Sequence, residues 1–344
     1  MESTRPDRPA PIASTGTPGF AVDAELTPNR SAAIAWQWSQ KSTSSAPSPR
    51  SRHAMVYDQM RGNVVLFGGR SASGAALGDT WVWDGTSWSQ RFPLHLPSPR
   101  YFHAMAWDYR NQNIILFGGS TGSAVLNDTW VWDGNDWIPR STYSSPPARQ
   151  AHGMAYDGLT SVKGVALYAG TNQGLTKYFD DTWYWDGGSW TDRTASASRY
   201  PARANVTAAL TPSMHASMIG GWGSGGLVDG HWILDGGMWM KWAAGAPTNR
   251  DDSAACRDDD RGLTVLFGGL GSTVLGDTWA FNGDYWTQLA PTGSPGARRY
   301  HAMTYDRQRK VAVLFGGLTS SGSALGDTWT LGEGGSAGGP DLVV

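Results

Sequence analysis

One phrase occurs six times along this chain of 344 residues, and this repetition restricts the fold more than any other feature of the sequence. Each copy is an apolar run that ends in a pair of small residues and is followed by an acidic residue that opens a segment rich in aromatic residues. The pairs are Gly68-Gly69, Gly118-Gly119, Ala169-Gly170, Gly220-Gly221, Gly268-Gly269 and Gly316-Gly317. The acidic residues are Asp79, Asp128, Asp181, Asp229, Asp277 and Asp327. A period of about fifty residues is the length of one four-stranded blade of a β-propeller.

The second unit shows how each copy divides into four short strands. Its first strand, RYFHAMAWD at 100–108, alternates larger and smaller side chains, and its second strand, IILFGG, ends on glycines where the backbone must turn. The third strand, DTWVWDG, carries Trp130 and Trp132 on one face and ends in an Asp-Gly pair, which predicts a tight hairpin into the fourth strand, NDWIP. No segment keeps a helical period of apolar residues. We therefore predict an all-β chain with four antiparallel strands in each blade.

The two ends of the chain complement each other. After GDTWTLGEGG at 326–335 the sixth unit has no fourth strand. Trp38 lies twelve residues before Arg50, in the same way that Trp88 lies twelve residues before Arg100. We predict that residues 34–40 supply the outer strand of the sixth blade, because a ring closed by both termini has no open junction between blades. The predicted domains are one propeller at 34–331 and two flexible tails at 1–33 and 332–344.

The glycine pair after an apolar strand, with a spaced aromatic residue in each later strand, resembles the kelch-repeat family of β-propellers. The resemblance covers roughly residues 34–331 and implies a six-bladed kelch-type propeller. Kelch propellers include binding modules as well as enzymes, so the fold alone does not select a function.

Two sets of loops are predicted at the same end of the propeller: those between consecutive units and those that follow the glycine pairs. Long loops gathered over a central channel are a natural place for a ligand. Positions determined by packing should be alike in all six units, whereas an asymmetric site should use positions that differ. In kelch proteins that bind peptides, positions like these face the central pocket, and the resemblance implies a pocket of mixed charge and aromatic character here. The candidate ligand-binding residues are Arg52, Arg70, Tyr101, Phe102, Gln150, Thr171, Asn205, Trp222, Asp252, Arg299 and Tyr300.

Two polar residues recur at fixed positions and are interpreted as structural. An arginine opens every unit, and we expect its side chain to hydrogen-bond main-chain carbonyls between blades. Four histidines share one position of the first strand, which Val206 and Ser253 fill in the other two units. Equivalent positions in a six-bladed ring are too far apart for one metal ion ligated at about 2 Å, so we expect these histidines to pack and not to bind metal. The arginines are Arg50, Arg100, Arg149, Arg203, Arg250 and Arg298, and the histidines are His53, His103, His152 and His301.

Motifs associated with cofactors are weak in this sequence. A radical copper oxidase of the same fold needs a cysteine-linked tyrosine, a second tyrosine and two histidines, but Cys256 stands where other units have small residues such as Ala106. The run RDDDRG at 257–262 is interpreted as a solvated turn, because no glutamate follows to complete a calcium site. We expect neither a metal nor an organic cofactor.

Charge and cysteine content restrict the partners. Charged residues make up 16% of the chain and the formal net charge is −2, which does not favour nucleic acid as a partner. A single cysteine excludes an intrachain disulfide. The first thirty-three residues contain no apolar run long enough for a signal peptide or a membrane span. We expect a monomeric cytoplasmic protein that does not bind membranes.

Two functions from different classes remain open. The first is a binding module whose loop-side central pocket holds a peptide, a protein loop or a small anionic ligand. The second is a cofactor-independent isomerase, lyase or cyclase that acts on a small substrate in the same pocket. In that enzyme Asp252 or Asp251 would be the base and Tyr300 the acid. Arg52 or Arg299 would anchor a carboxylate or an oxyanion. The fold favours the binding module over the enzyme.

Overall fold

The predicted propeller is confirmed. The computed structural model describes residues 35–158, 163–194, 200–242 and 247–334, and these form six blades, each built on a four-stranded antiparallel sheet. The predicted tails lie outside the described residues apart from 332–334, and the last strand runs on to Glu333.

We name the strands a to d within each blade, and number the blades one to six from Arg50 onward. The a strands are Ala54–Asp58, Ala104–Asp108, Gly153–Asp157, Thr207–Leu210, Ala254–Asp258 and Ala302–Asp306. The b strands are Asn63–Ser71, Asn113–Ser120, Gly164–Tyr168, Ala216–Ile219, Leu263–Leu270 and Val311–Phe315. The c strands are Ala76–Trp83, Val125–Trp132, Thr182–Trp185, His231–Asp235, Val274–Phe281 and Thr328–Glu333. The d strands are Trp88–Arg91, Trp137–Arg140, Trp190–Asp192, Met238–Trp242, Trp286–Leu289 and, in blade 6, Trp36–Lys41.

The a strands line the central channel, since each contacts the a strands of its two neighbouring blades in an unbroken cycle. Three short elements interrupt the regular pattern. Arg50–Ser51 adds to strand b of blade 1, and Gln173–Leu175 forms a 3-10 turn in blade 3. In blade 4, Trp222–Gly223 and Gly226–Leu227 form a small separate hairpin after the glycine pair.

A tryptophan at the start of strand d joins each blade to the one before it. Trp137 is fully buried, and its indole nitrogen donates a hydrogen bond of 3.0 Å to the Thr80 hydroxyl in strand c of blade 1. The same indole-to-threonine contact is made in four other blades by Trp88, Trp190, Trp239 and Trp38. In blade 5 the acceptor is Nδ1 of His231, at 3.3 Å from the indole nitrogen of Trp286. The threonine of the recurring Asp-Thr-Trp phrase therefore lies in strand c and also accepts the hydrogen bond that joins its blade to the next one.

The amino-terminal strand closes the ring as predicted. Trp36–Lys41 pairs antiparallel with Thr328–Glu333, the c strand of blade 6. Its Trp38 donates a 3.1 Å hydrogen bond to Thr278 of blade 5 and packs edge-on against Phe267 at 5.1 Å. The chain start thus makes the same contacts to blade 5 that an ordinary d strand makes to its preceding blade.

The opening arginines are structural, but their side chains act within a blade. In blade 2, Arg100 is fully buried and binds both carboxylate oxygens of Asp128, at 2.6 and 2.7 Å. Trp130 donates to the same carboxylate at 2.7 Å. It is the main-chain carbonyl of Arg100 that bridges blades, because it accepts a 2.9 Å hydrogen bond from Gly69 of blade 1. Five blades share this arginine–aspartate pair, formed by Arg50, Arg100, Arg149, Arg250 and Arg298 with Asp79, Asp128, Asp181, Asp277 and Asp327.

The glycine pair is required because two blades meet there. Gly68 has a φ of +64°, and a β-carbon at this position would lie 2.7 Å from the carbonyl oxygen of Arg100 and 3.1 Å from the His103 ring. The His103 ring packs edge-on against Phe67 at 5.4 Å. The repeated histidine therefore fills the junction between neighbouring blades, as the sequence analysis expects.

Blade 4 departs from this pattern. In blade 1, Phe67 of strand b pairs with Thr80 of strand c, and the repeated Asp79 directly precedes Thr80. In blade 4, Ile219 pairs with His231 in the same way, so the residue before His231, Gly230, occupies the aspartate position. Asp229, which the sequence alignment places there, lies one residue earlier and forms a 2.9 Å ion pair with Lys241 instead.

Candidate functional site

Six residues, each two positions after an opening arginine, form a closed main-chain ring at the mouth of the channel. The N–H of each donates a hydrogen bond to the carbonyl of the equivalent residue in the preceding blade, at distances from 2.9 to 3.3 Å. Their φ angles all lie between 56° and 58°. The ring consists of Arg52, Phe102, Ala151, Asn205, Asp252 and Tyr300.

A left-handed backbone is costly for a residue with a β-carbon, on the order of 1 kcal/mol each. Here the conformation is held by hydrogen bonds from both neighbouring blades. These bonds use only main-chain atoms, so they place no demand on the side chains. This explains why the six residues are all different although their backbone geometry is the same.

The loops that were predicted to share one end of the propeller do meet there. In each blade the residue after the opening arginine pairs with the residue after the glycine pair, as Tyr101 pairs with Ser120 and Gln150 with Thr171. These pairs form a second tier outside the main-chain ring. The remaining pairs are Ser51 with Arg70, Ala204 with Trp222, Asp251 with Leu270, and Arg299 with Leu318.

An asymmetric cavity of about 360 Å³ opens above the ring on the side of blades 3 to 5. The structure brings eight of the eleven predicted ligand-binding residues into its wall, together with the predicted catalytic candidate Asp251. These eight are Arg52, Phe102, Gln150, Thr171, Asn205, Trp222, Asp252 and Tyr300.

Three predicted binding residues lie outside the wall of this cavity. Arg70 donates from Nε to the carbonyl of Gly74 at 3.1 Å, and its guanidinium lies 5.8 Å from the ring of Tyr101. Tyr101 packs edge-on against Phe102, and Arg299 lies over the Tyr300 ring at 5.2 Å. Tyr101 and Arg299 therefore pack against wall residues, whereas Arg70 contacts only residues outside the wall.

Five wall residues were not among the sequence candidates: Ala151, Leu175, Tyr178, Ala204 and Leu270. Leu175 and Tyr178 belong to the segment TNQGLTKYFD, whose unusual length was visible in the sequence. Their side chains could not be placed from the sequence because the 3-10 turn at Gln173–Leu175, with Leu175 at a φ of 58°, has no counterpart in the described parts of the other blades.

Arg52 provides the central positive charge of the cavity. Its guanidinium lies 4.7 Å from the centre of the Phe102 ring and 4.3 Å from that of Tyr300, so the cation is flanked by two aromatic faces. Its Nε is buried and has no hydrogen-bond partner among the described residues. Aromatic faces attract the charge but accept few of its hydrogen bonds, which leaves donors available to a ligand.

Two consecutive aspartates bring carboxyl groups into the same wall. Asp251 and Asp252 are 3% and 7% exposed. The Tyr300 hydroxyl lies close enough to interact with the Asp252 carboxyl, but neither oxygen of Asp252 has a well-formed hydrogen bond within the described part of the chain. Burial raises the pKa of Asp252 well above its usual range, and repulsion from Asp251 adds to the rise, while Tyr300, Arg299 and Arg52 offset it in part. Burial also raises the pKa of the Asp251 carboxyl and of the Tyr300 hydroxyl. Asp252 therefore tends to hold its proton and to act as a donor.

Comparison with known proteins decides the family. The family described as the KLHDC2/KLHL20/DRC7 Kelch-repeats domain matches residues 33–221, which is more than half of the chain. This chain belongs to the kelch-repeat family. A solved structure titled "Structure of YjhT" matches with a TM-score of 0.63 and 16% sequence identity, covering 83% of this chain and 96% of that one. At this identity the likeness concerns the fold alone.

Beneath the ring, this kelch propeller has a smaller axial cavity of about 130 Å³ that includes the four repeated histidines in its wall. Burial lowers the pKa of His103 and His301 to about 3, and that of His53 and His152 well below the usual value. The nearby opening arginines lower them further, so the imidazoles are neutral. Within the described residues, no three histidine, cysteine, aspartate or glutamate side chains come together in a way that could hold a metal ion.

The opposite end of the channel has a third cavity, of about 160 Å³, with Cys256 in its wall. Burial raises the pKa of this thiol well above its usual value, so it is not a reactive thiolate. None of the helical segments that the structure describes has the length and apolar character needed to cross a membrane.

Proposed function

We propose that this kelch propeller is a binding module whose cavity over blades 3 to 5 holds a peptide, a protein loop or a small anionic ligand. The observation that carries the proposal is the state of Asp252, whose two oxygens are buried in the cavity wall without well-formed hydrogen bonds among the described residues. Buried polar atoms are almost always paired in proteins, and an exception of this kind points to a missing partner. A bound ligand would supply it.

The arrangement around Asp252 favours a ligand with an anionic group. Arg52 offers a cation with a buried donor that has no partner within the described chain, and the raised pKa of Asp252 allows it to donate a proton in a hydrogen bond. A ligand carboxylate could accept from both groups, and such charge-assisted hydrogen bonds are the stronger kind. The apolar remainder of the ligand would contact Leu175, Trp222 and Leu270 on the outer wall.

The rigid ring beneath the cavity supports binding in a second way. Because the main chain is fixed by inter-blade hydrogen bonds, the side chains that face the ligand need little reordering when it arrives. A site of this kind loses less conformational entropy on binding than a mobile loop does.

The test is a selection from a library of random peptides and a panel of small organic acids against the full chain. Arg52→Ala combined with Asp252→Asn should weaken binding of every selected ligand by about 30-fold or more, since both groups are central and buried. The matched control is Arg70→Ala, which removes an arginine of the same face that does not line the cavity. Melting temperatures of all variants are measured alongside. Ligands that bind the double variant as tightly as the unchanged chain would refute the proposal.

One observation favours the enzyme as a second candidate. A buried carboxyl with a raised pKa, placed beside a tyrosine and an arginine in a cavity, is a common arrangement for a general base. Such a base would exchange a carbon-bound proton of its substrate for deuterium. Each acid selected above is therefore incubated with the protein in D2O and followed by NMR. Exchange by the unchanged chain that is lost in Asp252→Asn would establish catalysis. If tightly bound acids show no exchange, the enzyme is rejected and the binding module is retained.

A further inference from the structure

Within the described residues, blade 4 has no carboxylate paired with its opening arginine, whereas the other five blades do. In blade 5, Nη1 and Nη2 of Arg250 bind the two oxygens of Asp277 at 2.7 and 2.8 Å, and the indole nitrogen of Trp279 donates to one of them at 2.6 Å. In blade 4 the corresponding position is Gly230, which has no side chain to offer. The two arginine Nη atoms and the tryptophan indole nitrogen, which all donate to one carboxylate in blade 5, therefore have no carboxylate to donate to at this position in blade 4.

Two of the donors in blade 4 are unused. Nη2 of Arg203 and Nε1 of Trp232 are buried and have no hydrogen-bond partner among the described residues. The other nitrogens of Arg203 are occupied, since Nε donates to Pro201 and Nη1 to Gly220, both at 2.9 Å. Arg203 itself has no exposed surface, and its guanidinium lies 5.7 Å from the Trp232 ring.

The environment of Arg203 is that of a cation without its usual counter-ion. Burial lowers its pKa to about 10, and the nearby Tyr200 and Asp229 offset part of this effect. Asp229 cannot serve as the missing partner in its present position, because its carboxylate faces solvent and pairs with Lys241. Only its main-chain carbonyl approaches Arg203, at 3.4 Å from Nη1.

We propose that blade 4 contains a second ligand site, in which the carboxylate of a small organic acid accepts hydrogen bonds from Nη2 of Arg203 and Nε1 of Trp232. The carboxylate would take the place that an aspartate side chain fills in the other five blades. Planar carboxylates match the guanidinium fork, and the same chain demonstrates this geometry five times. The site is separate from the cavity over the ring and does not depend on the function proposed for it.

A cavity of about 400 Å³ lies beside the blade 4 hairpin. Its wall includes Ala202 and Asp229, the chain neighbours of Arg203 and Gly230, but not Arg203 or Trp232 themselves. A β-carbon at Gly230 would lie 2.8 Å from Cε of Lys241, so the lysine stem fills the position that a bound carboxylate would take. Binding therefore requires the Lys241 side chain, which is 45% exposed, to move outward, and its ammonium group would then be a further donor to the bound acid.

The first experiment is an NMR titration of the full ¹⁵N-labelled chain with acetate, using acetamide as a neutral molecule of the same shape. The Trp232 indole signal is assigned from its loss in Trp232→Phe. Acetate should shift this signal in a saturable way, with a dissociation constant on the order of 1 mM, and acetamide should not. No acetate-dependent shift, or an equal shift with acetamide, would overturn the proposal.

The second experiment separates the site from general salt effects. Trp232→Phe should weaken acetate binding about 5-fold by calorimetry, whereas the matched Trp279→Phe should leave it unchanged, since the Trp279 indole already serves Asp277. Equal affinities in the two variants would contradict the assignment. Asp229→Asn should not move the Trp232 signal before acetate is added. A movement at that stage would show that Asp229 fills the site itself, and this result would also overturn the proposal.

Discussion

Blades 4 and 5 are neighbours built on the same plan, and they differ in how completely their buried polar groups are paired. In blade 5 the opening Arg250 has a bidentate carboxylate partner, which Trp279 also contacts. In blade 4 the arginine and the tryptophan are both present, but Gly230 replaces the aspartate and leaves Arg203 with an unused donor. The six blades can thus be compared with one another, and a blade that lacks one partner of a repeated contact shows which polar groups are left without it.

The mouth of the channel shows the converse departure. In the blades an aspartate is surrounded by donors, whereas Asp252 is buried with little to receive from its surroundings. Blade 4 has unused donors at a position with no carboxylate, and the mouth has a buried carboxyl group whose oxygens lack well-formed hydrogen bonds within the described residues. Both are positions where the chain gives up some stability, which is typical of sites kept for function.

The largest difference in the free energy of unfolding should appear between variants in which the aspartate of blade 5 or of blade 4 is replaced by asparagine. Asp277→Asn breaks a pair with a buried arginine and should lower the free energy of unfolding by about 3 kcal/mol. Asp229→Asn breaks only an exposed ion pair and should change it by less than about 0.5 kcal/mol. Denaturant unfolding of both variants measures this. Equal losses would show that Asp229 does serve Arg203.

Low pH should remove the difference in stability between the unchanged chain and Asp277→Asn. Burial by itself would raise the pKa of Asp277, but hydrogen bonds from Arg250 and Trp279 outweigh it, so the folded-state pKa is lowered. A lowered carboxyl pKa gives stability that is present above the unfolded value of about 3.9 and is lost as the pH falls through the folded value. The gap between the unchanged chain and Asp277→Asn should therefore close below about pH 4, as followed by unfolding at a series of pH values. A gap that stays constant to pH 2 would refute the ion-pair account.

Asp252→Asn should have a smaller effect of the opposite sign. Because the folded-state pKa of Asp252 is raised, the unfolded chain releases its proton first, and the native state loses stability as the pH rises above about 4. The amide should stabilise the protein by about 1 kcal/mol at pH 7 and by nothing below pH 4. Thermal unfolding at both pH values checks this, and destabilisation at pH 7 would mean that Asp252 has a structural partner.

The parts of the fold that repeat were the parts that could be predicted. Five aligned glycine pairs with one Ala-Gly pair, and six aligned tryptophan segments, predicted the blades, their strand order and the closure by residues 34–40. The same alignment selected eleven candidate binding residues, and eight of them line one cavity. That these residues bind a ligand stays a prediction. Alignment failed at Asp229, where a one-residue shift looks trivial in sequence but moves the carboxylate to the surface.

The sequence by itself determined the number of blades, the order of their strands and the face that carries the variable loops, because these follow from short-range patterns repeated six times. Only the tertiary structure decided which side chains are unpaired: the donors of Arg203, the oxygens of Asp252 and the flanked cation of Arg52. Whether a donor and an acceptor form a hydrogen bond depends on differences of a few tenths of an ångström in the distance between them, and the two residues are often far apart in the chain. No local pattern contains that information.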